Sequence, residues 1–172
     1  MSDQSRGEIG LVQFSERLTG SAAFGTLFRE GMDLVEETAA YLDGAGRKEA
    51  KALDRSVSLT YATESMRLTT RLMQLASWLL LHRAVREGEM TLVQANREKT
   101  KVKLTAADPG PADLIEKLPV QLQELIARSM TLQAKVRRLD ATMHAAAPAQ
   151  PSIGNPLVPQ LNRLKAAFER QG

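Results

Sequence analysis

The chain has 172 residues, 43% of them hydrophobic and 25% charged, enough for one domain with a core but too few for two large ones. It has no cysteine, which excludes disulfides and thiolate-held zinc or iron–sulfur sites, and its net charge of +3 is well below that of a dedicated nucleic-acid binder. Aromatic residues make up only 4%, so a core of Leu, Ala, Met and Val points to helices rather than sheets.

Residues 1–20 are polar and punctuated by glycine. They read as a flexible arm, without the basic and then apolar stretches of a secretory signal. Helical periodicity starts after Ser21, a suitable N-cap. Phe24, Phe28, Val35 and Leu42 fall on one stripe, with Leu27, Met32 and Ala39 beside it. Gly44-Ala45-Gly46 then ends the helix, with glycine where a left-handed cap is wanted.

A second helix is predicted over 47–87. Leu53, Val57, Tyr61, Leu68, Leu72, Leu75 and Leu79 recur along one face, and Ala62, Met66, Met73, Ala76 and Leu80 form a stripe next to it. At about 1.5 Å per residue this helix is roughly 60 Å long. Gly88 stops it. Thr91 and Gln94 have capping-box spacing for a short helix to about Lys103. Prolines and a glycine mark 105–113 as a loop.

The third long helix spans 118–143. Leu118, Leu122, Leu125, Ser129, Leu132, Val136, Leu139 and Met143 alternate spacings of four and three without a slip, a heptad seam. A linker with Pro148, Pro151, Pro156 and Pro159 follows, then an amphipathic segment with Leu161, Leu164 and Phe168 on one face beside Arg163 and Lys165. The predicted fold class is all-α: a bundle of three long helices with a short extra helix. Its domains are a flexible arm over 1–20, the bundle over 21–143, and a Pro/Ala-rich tail over 144–172.

The densest stretch, "ESMRLTTRLMQLASWLLLHRAV" at 64–85, decides among function classes. A membrane span needs about 20 mostly apolar residues, whereas Arg71 and Arg83 bracket the longest apolar run here. For nucleic acid, the second helix has eight basic residues against three acidic, but the first has one against five, and a tight turn sets them side by side. The cluster Arg97, Lys99, Lys101 and Lys103 lacks interleaved aromatics and reads as a solvated face. Catalysis has only His82 and His144 as bases near neutral pH. Glu36 and Glu37 point apart on a helix, and "GAGRK" lacks the spacing of a phosphate loop. No catalytic, cofactor or metal residue is assigned. Packing remains: the wide apolar half over 72–81 projects beyond the first helix, so Leu72, Leu75, Trp78, Leu79 and Leu80 form either core or a dimer surface.

"FGTLFREGMDLVEETAAYLDGAGRKEAKALDR" and "YATESMRLTTRLMQLASWLLLHRAVREGEMT" resemble the alphaproteobacterial regulator of CtrA degradation, the RcdA family, with the likeness covering about residues 21–104. That resemblance implies a non-enzymatic, cofactor-free adaptor: a dimeric three-helix bundle that helps deliver cell-cycle regulators of the CtrA type and other cargo to the ClpXP protease. A response regulator primes the unfoldase. It also implies a flexible functional tail and a cytoplasmic location, with the cell pole as a further expectation. The residues themselves are compatible with this. A tethered helix face formed by Leu161, Leu164 and Phe168, flanked by Arg163 and Lys165, suits partner docking, and tethering gives effective concentrations of about millimolar. The alternative is a helical nucleic-acid-associated regulator. Its binding would weaken steeply with salt.

Overall fold

The computed structural model describes residues 4–101 and 109–145, and the side chains of residues 20–99 and 109–143. Within them it is all-α: α1 (Gln4–Asp43), α2 (Ala45–Lys51), α3 (Arg55–Arg86), α4 (Leu92–Lys101), α5 (Ala112–Ile115) and α6 (Val120–Ala145), with no strand among the described residues. The chain forms two compact units, Met1–Val136 and Arg137–Gly172. The first holds the bundle. The described part of the second is the end of α6, where Thr142 Oγ1 donates to the Arg138 carbonyl at 2.9 Å.

Three predicted boundaries change. Helix α1 begins at Gln4 and not after Ser21. Glycine in a helix costs only about 1 kcal/mol relative to alanine, and the chain has no proline before Pro109 to stop the helix. The predicted second helix is two helices, broken over 52–54, where Asp54 takes ψ 154° and starts α3 as its N-cap. Gly44 turns the chain at φ −109°, not in the left-handed region. That conformation belongs to Gly88, at φ 75°. There the Glu89 and Met90 amides donate to the Ala84 carbonyl, at 3.0 and 3.3 Å, and close the end of α3. The loop predicted over 105–113 contains the start of α5. The capping box of α4 forms as read: Thr91 N donates to Gln94 Oε1 at 2.9 Å and Gln94 N to Thr91 Oγ1 at 3.2 Å.

The core is built from three seams. Leu118, just before α6, and Leu122, Leu125, Ser129, Leu132 and Val136 on it are all buried, in the predicted register. On α1 the buried seam is Phe24, Leu27, Gly31, Leu34, Thr38 and Tyr41, whereas Phe28, Val35 and Leu42 are only half-buried. Two non-apolar positions, Gly31 and Thr38, interrupt its hydrophobic pattern. On α3 it is Glu64, Leu68, Arg71, Leu75, Trp78 and His82, flanked by Leu72 and Leu79.

Contacts fix the directions. Lys135 Nζ meets Glu30 Oε2 at 2.9 Å and Arg128 Nη1 meets Glu37 Oε2 at 2.7 Å, so α1 and α6 are antiparallel. Helix α1 is antiparallel to α3 as well: Gly31 abuts Leu79, while Arg86 Nη2 donates to the Gly20 carbonyl at 3.1 Å. Helices α3 and α6 therefore run parallel, joined through α4 and α5. Among the described residues the acidic side chains of α1 that form ion pairs, Glu30 and Glu37, meet α6 and not α3; each such exposed pair adds about 0–1 kcal/mol. Gly31 marks the tightest approach. A Cβ there would collide with Leu79 Cδ1 and lie 3.7 Å from Leu132 Cδ2, so three helices meet at one residue without a side chain.

Candidate interaction surface

Helix α3 mixes buried charge into its apolar packed face and leaves a second apolar strip in solvent. Between Ser56 and His82 it has three charged residues, Glu64, Arg67 and Arg71. Glu64 and Arg71 are buried, at 2% and 1% exposure, while Leu59, Met66, Met73 and Leu80 stand in solvent at 71%, 73%, 66% and 52%.

The buried charges have partners. Arg71 Nη1 donates to Ser129 Oγ at 2.9 Å, and that hydroxyl donates to the Ile126 carbonyl at 2.7 Å. Glu64 Oε1 accepts from Arg67 Nη1 at 2.6 Å and from the Gly110 amide at 3.1 Å, tying the turn before α5 to α3. The Trp78 ring is tilted by 39° against His82, with centroids 4.0 Å apart, and its centroid lies 6.4 Å from that of Phe24. The basic end of α3 is used within the chain. Arg83 lies over the Phe28 ring at 5.0 Å and Arg86 over Phe24 at 4.4 Å. Burial lowers the Arg86 pKa. At the opposite end, Tyr41 donates to Glu49 Oε2 at 2.8 Å. Burial first, and that bond second, hold its phenol above the usual range; burial also raises Tyr61.

The outer face of α3 has no charge from Leu59 to Leu80. Its ten residues, at 59, 62, 63, 66, 69, 70, 73, 76, 77 and 80, are Leu, Met, Ala, Thr and Ser. Three hydroxyls on it are satisfied within the helix: Thr63 donates to the Leu59 carbonyl, Thr69 to Ser65 and Ser77 to Met73, at 3.0, 2.8 and 2.8 Å. The face therefore offers chiefly methyl and thioether surface. Beside it a groove of about 270 Å³ opens between α1 and α3, lined by Val35, Ala39, Leu42, Thr69, Met73 and Ala76. The arrangement suits contact with another apolar surface.

Of the residues assigned to core or dimer surface, Leu72, Leu75, Trp78 and Leu79 are buried within the chain and only Leu80 faces out. The stripe of Ala62, Met66, Met73, Ala76 and Leu80, adjacent to the buried seam, lies largely on the solvent side. The signal available in the sequence was the absence of charge along that stripe. Leu161, Arg163, Leu164, Lys165 and Phe168 lie outside the described residues, as do the side chains of His144, Lys101 and Lys103. Among the described residues no group of three metal-ligating side chains comes together, and no helix is long and apolar enough to cross a membrane.

The family described as protein of unknown function DUF1465 matches residues 15–168. The crystal structure of RcdA from Caulobacter crescentus CB15 is similar at 53% sequence identity and a TM-score of 0.61, over 73% of this chain and 95% of that one. No curated protein matches.

Proposed function

This chain belongs to the DUF1465 family, that of RcdA, and from that premise we propose that it is a non-enzymatic adaptor that helps deliver cell-cycle regulators of the CtrA type, and other cargo, to the ClpXP protease. The observation that carries this reading is the 53% identity spanning 95% of RcdA. The surface is consistent with it: α3 buries Glu64 and Arg71 and turns an uncharged, largely apolar strip outward, which suits protein contact. In this reading the adaptor is a cytoplasmic homodimer, a response regulator primes the unfoldase, and the segment with Leu161, Leu164 and Phe168 engages partners.

Reconstituted proteolysis tests it. Adding the chain to ClpXP, the primed response regulator and a CtrA-type substrate should raise the initial degradation rate, and leaving out any one component should abolish the gain. A rate unchanged by the chain across all cargo tested would overturn the reading. A parallel titration with duplex DNA from low to high salt addresses the alternative. Binding with a steep salt slope would favour a nucleic-acid role.

A further inference from the structure

Six of the ten outer residues of α3 are palindromic. Leu59 mirrors Leu80, Met66 mirrors Met73, and Thr69 mirrors Thr70. The remaining positions are all short side chains, Ala62 opposite Ser77 and Thr63 opposite Ala76. Large residues thus sit symmetrically about a midpoint between Thr69 and Thr70, with small ones between them. Under a two-fold axis there, each residue of one copy meets its mirror residue in the other, so large residues meet large ones and small meet small along the strip.

We propose that two copies of this chain pair α3 against α3, antiparallel, about a two-fold axis between Thr69 and Thr70. The proposal rests on the homodimer in the functional reading above and adds its face, direction and register. Met66 of the second copy falls opposite Met73 and beside the α1–α3 groove, where the half-buried Val35 and Leu42 leave room for a flexible thioether. At each end, within a turn of the symmetric position, Asp54 and Arg55 of one copy lie against Arg83 and Glu87 of the other. Opposite signs meet there. The strip is about 32 Å long; two helices joined over that length bury on the order of 1,200 Å² in total, the lower edge for a specific complex. The contact is apolar along its length, so it tolerates salt.

The chain has no native cysteine, so single cysteines report the register directly. Full-length Leu59→Cys and Leu80→Cys chains, mixed and oxidised, should form the mixed disulfide at least ten-fold more than either chain alone. Disulfides formed by Leu59→Cys alone in preference to the mixture would show parallel pairing and overturn the proposal. Charge reversal gives a second arm. Met66→Glu and Met73→Lys should each keep full helicity and a cooperative melt but lose dimer affinity at least 100-fold by sedimentation. Mixing the two variants should restore the dimer, because Glu at 66 then faces Lys at 73. A wild-type chain that sediments at 18.9 kDa at every concentration would overturn the homodimer and this proposal together. A wild-type dimer whose affinity Met66→Glu leaves unchanged would overturn only this face.

Discussion

The two faces of α3 blur the usual division between inside and outside. The inner face holds Glu64, Arg71 and His82 at 3% exposure or less, and the outer face leaves Leu59, Met66 and Met73 about two-thirds exposed or more. Burying charge is costly unless it is paired and hydrogen-bonded, and exposing Met and Leu gives up stabilisation of about 1.5–3 kcal/mol per side chain. A helix that accepts both is shaped by two requirements. The inner face specifies how three helices register, because Arg71 must meet Ser129 and Glu64 must meet Gly110. The outer face leaves uncharged, largely apolar surface open, as the pairing proposed above uses it. The comparison teaches that hydrophobicity alone does not locate a core; the distribution of charge among neighbouring helices does.

If that division is right, substitutions on the two faces differ sharply. The largest effect is expected at the shared core. Leu132→Asp places an unpaired carboxylate at a fully buried site and should cost several kcal/mol, on the order of total domain stability. Circular dichroism should show a lost or non-cooperative melt, and a melt near the wild-type temperature would mean that this seam is not core. Gly31→Val is next. Its branched Cβ would press into Leu79, and overpacking costs about 1–3 kcal/mol, measurable by urea denaturation. Introducing the same residue on the outer face, Met73→Val, should stay within about 0.5 kcal/mol in the monomer.

Tyr41 gives a smaller, pH-dependent effect. Its phenol pKa is raised in the folded chain, so the unfolded chain ionises first, near 10.0. The stabilisation is fully present below that pH and is lost as pH rises toward the folded pKa, by about 1.4 kcal/mol per unit. Tyr41→Phe should remove most of this alkaline slope, part of it shared with Tyr61, and cost about 1 kcal/mol at neutral pH through the bond to Glu49. Equal slopes for the variant and wild type above pH 10 would rule Tyr41 out as the source. The smallest effect on stability belongs to the tail. Truncation after Ala145 should leave helicity and melting almost unchanged, because four prolines interrupt that segment, while weakening delivery of at least some cargo. A lower melting temperature, or amide protection near 161–168 in the chain alone, would show that the segment packs on the bundle.

How legible this was in the sequence varies by helix. The seam of α6 could be read because each core position is apolar or a small serine, so the heptad survives unbroken through Val136. The seam of α1 keeps the same spacing, but Gly31 and Thr38 occupy two of its places. Its stripe was therefore read about one residue around the helix, through Phe28, Val35 and Leu42. The α3 seam was harder still, since Glu64, Arg71 and His82 look like surface residues until Ser129 and Gly110 are brought to them from elsewhere in the chain. The break over 52–54 lies among good helix formers, with Asp54 its only local cue. Family membership was legible from two long stretches, whereas the outer face of α3 could be recognised only once the inner one was known.

Methionine oxidation measured against protein concentration tests the central claim most directly, because Met66 and Met73 lie on the outer face of α3 and Met130 lies on α6. With dilute protein and limiting peroxide, Met66 and Met73 should form sulfoxide quickly, as their exposure demands. At concentrations that favour the dimer, both rates should fall together while that of Met130 stays constant. Rates at Met66 and Met73 that do not change with concentration, in a chain that sediments as a dimer, would contradict the account and place the interface elsewhere.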